Sequence, residues 1–210
     1  MAYPSEYVIR IFKGTYPHLD LAKNKFTNKK ICDIGAGDGR NLVLLKQRGF
    51  EAYGVEINSE IVRKIKQNLK RAGVRADIRV GRNDSIPFSS SYFDYLLSWN
   101  ACYYMGDYDD FNDYVKEFAR VIKPKGCLVM SIPKKTSFIY KGSETIKKGY
   151  RVIRNDPYKI RNGYVLRMFA GEKEIEKTFS PYFKNFTFGS IQDDCFGLNY
   201  HWHLVVCQRK

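Results

Sequence analysis

Lys30-Ile31-Cys32-Asp33-Ile34-Gly35-Ala36-Gly37-Asp38-Gly39-Arg40 is the stretch on which the fold turns. Residues 30–35 form a short apolar run ending in glycine, the pattern of a buried strand. Glycines at 35, 37 and 39 follow, and behind them Leu42, Leu45 and Lys46 take up helical spacing until Gly49 ends the helix. A strand that must turn sharply into a helix while admitting a ligand against its backbone needs residues without a Cβ. The spacing is GxGxG, not the GxGxxG of the dinucleotide fingerprint. Asp33 and Asp38 flank the glycines. Carboxylates there repel a pyrophosphate but suit an ammonium or a sulfonium, so the loop favours a cationic nucleoside over a nicotinamide dinucleotide.

Further along, the pattern repeats. Residues 51–56 read as a second strand ending in Glu56, 21 residues after Gly35, and an acid there can accept hydrogen bonds from both ribose hydroxyls. A helix is predicted over 59–72, capped by Ser59, with Ile61, Ile65 and Leu69 on one face and Gly73 as its stop. Strands are predicted at 76–80 and 93–98, separated by Pro87. A helix over 109–122 carries the stripe Phe111, Tyr114, Val115, Phe118 and Ile122, and Pro124 and Gly126 mark the turn into a strand at 127–132. Alternation of strand and helix from 30 to 132 implies a parallel sheet with helices on both faces. Residues 133–170 lack clear periodicity. Residues 172–183 read as helix, and 185–191 and 200–207 as strands. The eight-residue loop between those strands is too short for a helical crossover, which makes them antiparallel neighbours. There is no internal repeat.

Composition narrows the classes. With 210 residues, 44% of them hydrophobic, the chain suffices for one core. Sixteen Tyr, 14 Phe and 2 Trp are too many large apolar groups for a disordered chain. No apolar run approaches the roughly 18 residues of a membrane span, and the start lacks the pattern of a secretion signal. Cys32, Cys102, Cys127, Cys195 and Cys207 are scattered, odd in number and without CxxC spacing, which argues against a disulfide framework and a metal site. A reducing cytoplasm is the expected setting. The net charge is +14. Much of the excess lies in residues 123–167, where 12 Lys and Arg face only Glu144 and Asp156. Such a segment is either a solvated surface or a patch for an anionic partner.

Four blocks in order, ICDIGAGDGR (31–40), GVE (54–56), VGRNDSIPFSSSYFDYLLS (80–98) and EFARVIKPKGCLVMSIP (117–133), resemble the class I S-adenosylmethionine-dependent methyltransferases, in particular their small-molecule branch. The resemblance covers roughly residues 28–132. It implies a Rossmann-like, seven-stranded, mostly parallel α/β sheet with an antiparallel last strand. S-adenosylmethionine is the implied cofactor and S-adenosylhomocysteine its product. By the same resemblance Asp33, Gly35, Ala36, Gly37 and Gly39 form the loop under the methionine part. Glu56 is the ribose acid, Ile57 packs on the adenine, and Ser98 to Asn100 lie beside the methionine end. Where the family commonly has Gly-Asp-Ala, this chain has Gly81-Arg82-Asn83. The acid that meets the adenine amine is thus replaced by Arg82, and Asn83 or Asp84 can substitute as acceptor. The implied organisation is one domain: an N-terminal lid at 1–27 with a helix capped by Ser5, a cofactor core at 28–132, a basic acceptor-side insertion at 133–170, and a C-terminal part at 171–210.

Displacement at a sulfonium methyl needs positioning and a desolvated nucleophile. A base is required only if the acceptor keeps its proton, so no catalytic residue is dictated. Ligands bind beyond the carboxyl ends of the parallel strands. For an antiparallel last strand that places the predicted loop 192–201 over the site, with His201 as nearest base and Tyr103 and Tyr104 as further candidates. A cationic insertion suggests an anionic small-molecule acceptor, phosphorylated or sugar-linked, methylated on oxygen or nitrogen. The alternatives are RNA methylation, which the charge allows, and a non-catalytic binding subunit. RNA is disfavoured because Ser98-Trp99-Asn100-Ala101 is not an Asn-Pro-Pro-Tyr type tetrad.

Overall fold

A computed structural model describes residues 2–106 and 110–210. Residue 1 of the expected lid and residue 109 at the start of the fourth expected helix lie outside them. In chain order the elements are α1 (Glu6–Lys13), β1 (Lys30–Ile34), α2 (Arg40–Gln47), β2 (Glu51–Glu56), α3 (Ser59–Arg71), β3 (Asp77–Val80), β4 (Phe93–Ser98), β5 (Tyr104–Met105), α4 (Phe111–Val121), β6 (Ile122–Pro133), β7 (Glu144–Lys147), β8 (Tyr150–Val152), β9 (Val165–Arg167), α5 (Glu172–Phe179), β10 (Phe183–Cys195) and β11 (Leu198–Arg209).

Seven strands form the main sheet in the order β10-β11-β6-β4-β1-β2-β3. Pairings from β6 to β3 are parallel, while β11 runs antiparallel to both β6 and β10. The order reverses at β1 and β4, so a crevice opens at the carboxyl ends of these strands. Alternate residues of the strands serve two cores. Ile31, Leu97 and Val129 pack with Val8 and Phe12 of α1, Leu42 and Leu45 of α2, and Ile65 and Leu69 of α3. Cys32, Leu96, Leu128 and Met130 pack on the other face with Phe111 and Phe118 of α4 and Ile175 and Phe179 of α5. No described helix is long and apolar enough to cross a membrane.

The departures from expectation are local. The cap of α3 is Asn58, whose side chain accepts from the Ile61 amide, so Ser59 is the first helical residue and not the cap. Ser5 precedes α1, but its hydroxyl makes no capping bond; its amide instead donates to Asn41 Oδ1 at 3.1 Å. The turn predicted at Pro124–Gly126 is an irregularity within β6, which begins at Ile122 and slips register against β4 between Phe93 and Tyr95. The eight-residue loop near the C-terminus does not exist. β10 and β11 pair through Cys195–Leu198, leaving only Phe196 and Gly197, both at positive φ, as the turn of a long hairpin. The predicted helix 172–183 stops at Phe179.

The basic insertion is not irregular throughout. After the short 3-10 turn Phe138–Tyr140, strands β7, β8 and β9 join β5 in a second sheet, order β5-β9-β8-β7. These strands have two to four residues each, too few for a period to register in sequence.

Candidate active site

The glycine loop is built as its spacing requires. Gly35, Gly37 and Gly39 all have positive φ, near 69°, 62° and 86°. Gly35 also admits no side chain, because a Cβ there meets the Ala101 Cβ at 2.5 Å. A Cβ on Gly37 would meet nothing within 4 Å, so its strictures are backbone conformation and whatever approaches from outside. Ala36 is buried, and its amide and that of Gly35 donate to Val55 O, binding the loop to the end of β2.

Glu56 closes the loop from the neighbouring strand. One carboxylate oxygen accepts from the Gly37 amide at 2.7 Å and the other from the Ile57 amide at 3.0 Å. Each oxygen retains a lone pair for a further donor. Ile57, the next residue, is 58% exposed, an apolar side chain left open at the rim.

Asp33 and Asn83 hold polar atoms that the protein itself does not satisfy. Asp33 is 1% exposed, and neither carboxylate oxygen has a hydrogen bond of normal geometry. Burial, aided by the nearby Glu56 charge, pushes its pKa up to about 8, with Asn41 and Arg40 opposing, so Asp33 is neutral at pH 7. Asn83 donates to Ala101 O at 3.3 Å, while its buried Oδ1 is unpartnered. Buried acceptors left unpaired cost free energy and call for a ligand donor. Asp84 is already engaged with Arg82 at 3.3 Å. Of the two, Asn83 is the one that holds a buried acceptor without a partner among the described residues.

Ser98 is fully buried, and its hydroxyl has no partner among the described residues. Asn100 is exposed, with φ near 56°, a conformation costly for most residues but tolerated by Asn. It is held there by Ser131, whose hydroxyl donates to Asn100 Oδ1 at 2.9 Å and accepts from its amide at 2.8 Å. Asn100 thus keeps a left-handed conformation just beyond the end of β4.

Beyond Asn100 the two tyrosines separate. Tyr103 is 1% exposed, and burial holds its phenol far above the usual range. It belongs to the core and cannot act as a base. Tyr104 is half-buried, stacked on Tyr103 and edge-on to Tyr164. Its hydroxyl accepts from Arg161 Nε at 2.9 Å. Arg161 is fixed in turn by Asp156, a carboxylate with no exposed surface, at 2.9 Å. The composition of 133–170 carried a signal for this pair: Asp156 is one of only two acids there, and an acid buried in a basic segment needs a cation.

His201 lies at the carboxyl-end edge, its carbonyl accepting from the Lys134 amide and its Nδ1 at 2.9 Å from Thr136 Oγ1. On the opposite face of β11, Tyr200 and Trp202 stack at 5.3 Å and pack on Phe138. Tyr158 bonds the Tyr200 hydroxyl at 3.1 Å. Residues 192–201 form the end of the β10–β11 hairpin and not a loop. Asp193 there accepts from the Tyr7 hydroxyl at 2.6 Å. Burial and that carboxylate push the Tyr7 phenol up to about 12. The N-terminal segment also reaches the glycine loop, Ala2 N donating to Asp38 Oδ2 at 2.8 Å.

Comparison with known proteins agrees with this geometry. Residues 31–126 match a family described as a methyltransferase domain. Over 91 residues the chain is 32% identical to a lysine N-methyltransferase of Caenorhabditis elegans named for a subunit of ATP synthase, covering 42% of this chain and 48% of that protein. The match thus spans about half the length of that relative. Among solved structures, an S-adenosylmethionine-dependent methyltransferase of Methanosarcina mazei superposes with TM-score 0.72 at 21% identity, covering 93% of this chain and 98% of the other. A 1,6-didemethyltoxoflavin-N1-methyltransferase of Burkholderia thailandensis, bound to S-adenosylhomocysteine, gives 0.63 at 16%, covering 88% and 72%. At these identities the structural likeness establishes the fold. Glycine loop, strand-end acid, strand order and matched segment agree: residues 31–126 form a methyltransferase domain, and the chain has the fold of S-adenosylmethionine-dependent methyltransferases.

Proposed function

We infer that the protein transfers a methyl group from S-adenosylmethionine to an oxygen or nitrogen atom of a small anionic acceptor. Bound there, the cofactor supplies an electrophilic methyl group on a sulfonium. Its site is assigned to the residues whose needs it meets. The free lone pairs of Glu56 take the ribose hydroxyls, and the unpaired Asn83 Oδ1 takes the adenine amine. The exposed Ile57 covers the adenine. The loop Asp33-Ile34-Gly35-Ala36-Gly37 and Asn100 border the methionine part. A neutral Asp33 can donate one proton as well as accept, which suits a carboxylate and ammonium pair better than a bare anion would.

On the acceptor side, Arg161 is the observation that carries the reading. Its Nε and one terminal nitrogen are spent on Tyr104 and Asp156. The other terminal nitrogen makes no hydrogen bond among the described residues. A guanidinium held rigid by a buried acid, with a donor to spare, is suited to a carboxylate or phosphate. Because Tyr104 accepts from Arg161, its own O–H is free to donate to an acceptor atom. The ring nitrogen of His201 that does not face Thr136 is available to take a proton from a hydroxyl. In this organisation 1–27 serves as a lid, 28–132 as the cofactor core, 133–170 as the acceptor wall and 171–210 as its C-terminal support.

A protein lysine is the second reading, supported by the activity named for the Caenorhabditis elegans relative. Titration with S-adenosylmethionine and S-adenosylhomocysteine tests the cofactor site. An assay of S-adenosylhomocysteine release over phosphorylated and carboxylated small molecules, RNA and lysine peptides tests the acceptor. Turnover with lysine peptides or RNA alone would overturn the small-molecule reading.

A further inference from the structure

Helix α3 carries a basic face that the crevice does not use. Val62, Ile65 and Leu69 are its buried positions, which leaves the opposite surface to solvent. From α3 to the start of β3 the chain holds Arg63, Lys64, Lys66, Lys70, Arg71 and Arg75. The one acid on the helix, Glu60, is taken by Lys64 at 2.8 Å. Arg63, Lys66, Lys70, Arg71 and Arg75 form no ion pair among the described residues.

These cations border a shallow groove. Arg63, Lys66 and Lys70 line one stretch of it with Ser59 and Val62. Lys66 and Lys70 also line its continuation with Leu69, Val74 and Arg75. Along the helix, Arg63, Lys66 and Lys70 rise by about 4.5 and about 6 Å, at 1.5 Å per residue. That is one cation per turn beside an aliphatic floor. The cations are exposed and unpinned, unlike Arg161. They lack the fixed geometry that selects one compact anion and suit a polymer carrying charge at every unit. The groove starts at Ser59, three residues beyond Glu56, so a polymer lying in it leads toward the crevice. The net charge of +14 favours a polyanion over a single anionic group.

We propose that this face of α3 binds the phosphodiester backbone of RNA, independently of which acceptor is methylated. The floor has no aromatic side chain for base stacking, so binding is by phosphate contact and insensitive to sequence.

The test is a titration of a labelled RNA of about 20 nucleotides at several salt concentrations. It compares the wild-type protein, the triple variant Arg63→Glu, Lys66→Glu, Lys70→Glu, and the control Lys173→Glu, Lys177→Glu, Lys184→Glu. The control carries the same net charge on α5 and β10, away from α3. All six positions are exposed, and cofactor titration of each variant confirms folding. The expected result is that the α3 variant loses about tenfold or more in affinity. Its log-log salt slope should fall by about 2, at roughly 0.7 per lost phosphate contact on a single strand. The control should change little. Equal losses in both variants, or an unchanged α3 variant, would overturn the proposal. Polyglutamate displacing the RNA at equal charge concentration would assign the face to an acidic protein and overturn it as well.

Discussion

The two walls of the crevice treat their charged groups differently. On the cofactor wall, Asp33 and Asn83 hold buried acceptors with no partner, and Glu56 is only half satisfied. On the acceptor wall the charged groups are paired, Arg161 with Asp156 and Tyr104, Arg151 with Ser143 and Thr145, His201 with Thr136, while the buried Ser137 Oγ and Trp202 Nε1 have no partner among the described residues. A site that leaves acceptors unpaired carries an energetic cost that its ligand relieves, so the ligand can be read from what is missing. A site whose groups satisfy one another reveals its ligand only through surplus donors and exposed rings. This is why the proposed cofactor contacts can be named residue by residue, whereas the proposed acceptor is described by charge class.

The sharpest way to break this contrast is Glu56→Ala. Two ribose hydroxyls then lose their shared acceptor, and cofactor affinity should fall by about 10- to 100-fold, equivalent to roughly 1.5–3 kcal/mol. Calorimetric titration checks it, and unchanged affinity would refute the placement of the cofactor wall.

The pair Gly37→Ala and Gly73→Ala comes next. Both glycines have positive φ, and at neither would a Cβ meet a neighbour. Each variant should lose about 1 kcal/mol of stability from the left-handed backbone alone. Cofactor affinity should fall about tenfold in Gly37→Ala only, since a Cβ there enters the space the ligand approaches. Denaturant melts paired with calorimetry distinguish the two effects; equal affinity in both variants would count against the loop as binding surface.

Asp33 permits a test by pH. Its folded pKa of about 8 lies above the ordinary 3.8. Below pH 3.8 the carboxyl is neutral folded or unfolded. As pH rises from there to about 8, only the unfolded chain ionises, so this group's contribution to stability is progressively lost. Asp33→Asn removes the penalty. Its melting temperature should exceed that of the wild-type protein by a margin that widens between pH 5 and 8, by up to about 1.4 kcal/mol per pH unit. A constant margin would mean that Asp33 ionises normally.

The smallest effects are expected at the tyrosines. Tyr104→Phe should lower turnover a few-fold by removing the donor beside Arg161. Tyr103→Phe should alter stability by about 1 kcal/mol with turnover unchanged. Steady-state kinetics on any acceptor found will show whether the loss falls on position 104.

Legibility in the sequence followed the length of the signal. β2 and β4 lie at the bounds their periodicity predicts, and the glycine loop, Glu56 and Ile57 stand where strand ends put them. Each was carried by six or more residues of uninterrupted pattern or by glycines with a steric purpose. The second sheet was not legible, because strands of two to four residues have no measurable period. Tyr103 and Tyr104 are adjacent and chemically identical, so only burial could separate the core residue from the one at the rim. The long β10–β11 hairpin was hidden because Gln192, Asp193 and Asp194 have poor strand propensity. They are strand because a two-residue turn at Phe196-Gly197 lets Asp193 pair with Tyr200 and Asp194 with Asn199.

Sequence by itself determined the parallel sheet, the strand-to-helix glycine loop and the class of cofactor, since each follows from local constraints: alternating periods, left-handed φ, and carboxylates at strand ends. Tertiary structure alone decided which acceptors are left unpaired, which tyrosine is buried in the core, and where Tyr104, Arg161, Tyr7 and Asp193 find one another in pairs. Those facts depend on burial and on contacts between residues 57 and 186 positions apart. No local pattern encodes such contacts, because they form only when distant segments close on one another.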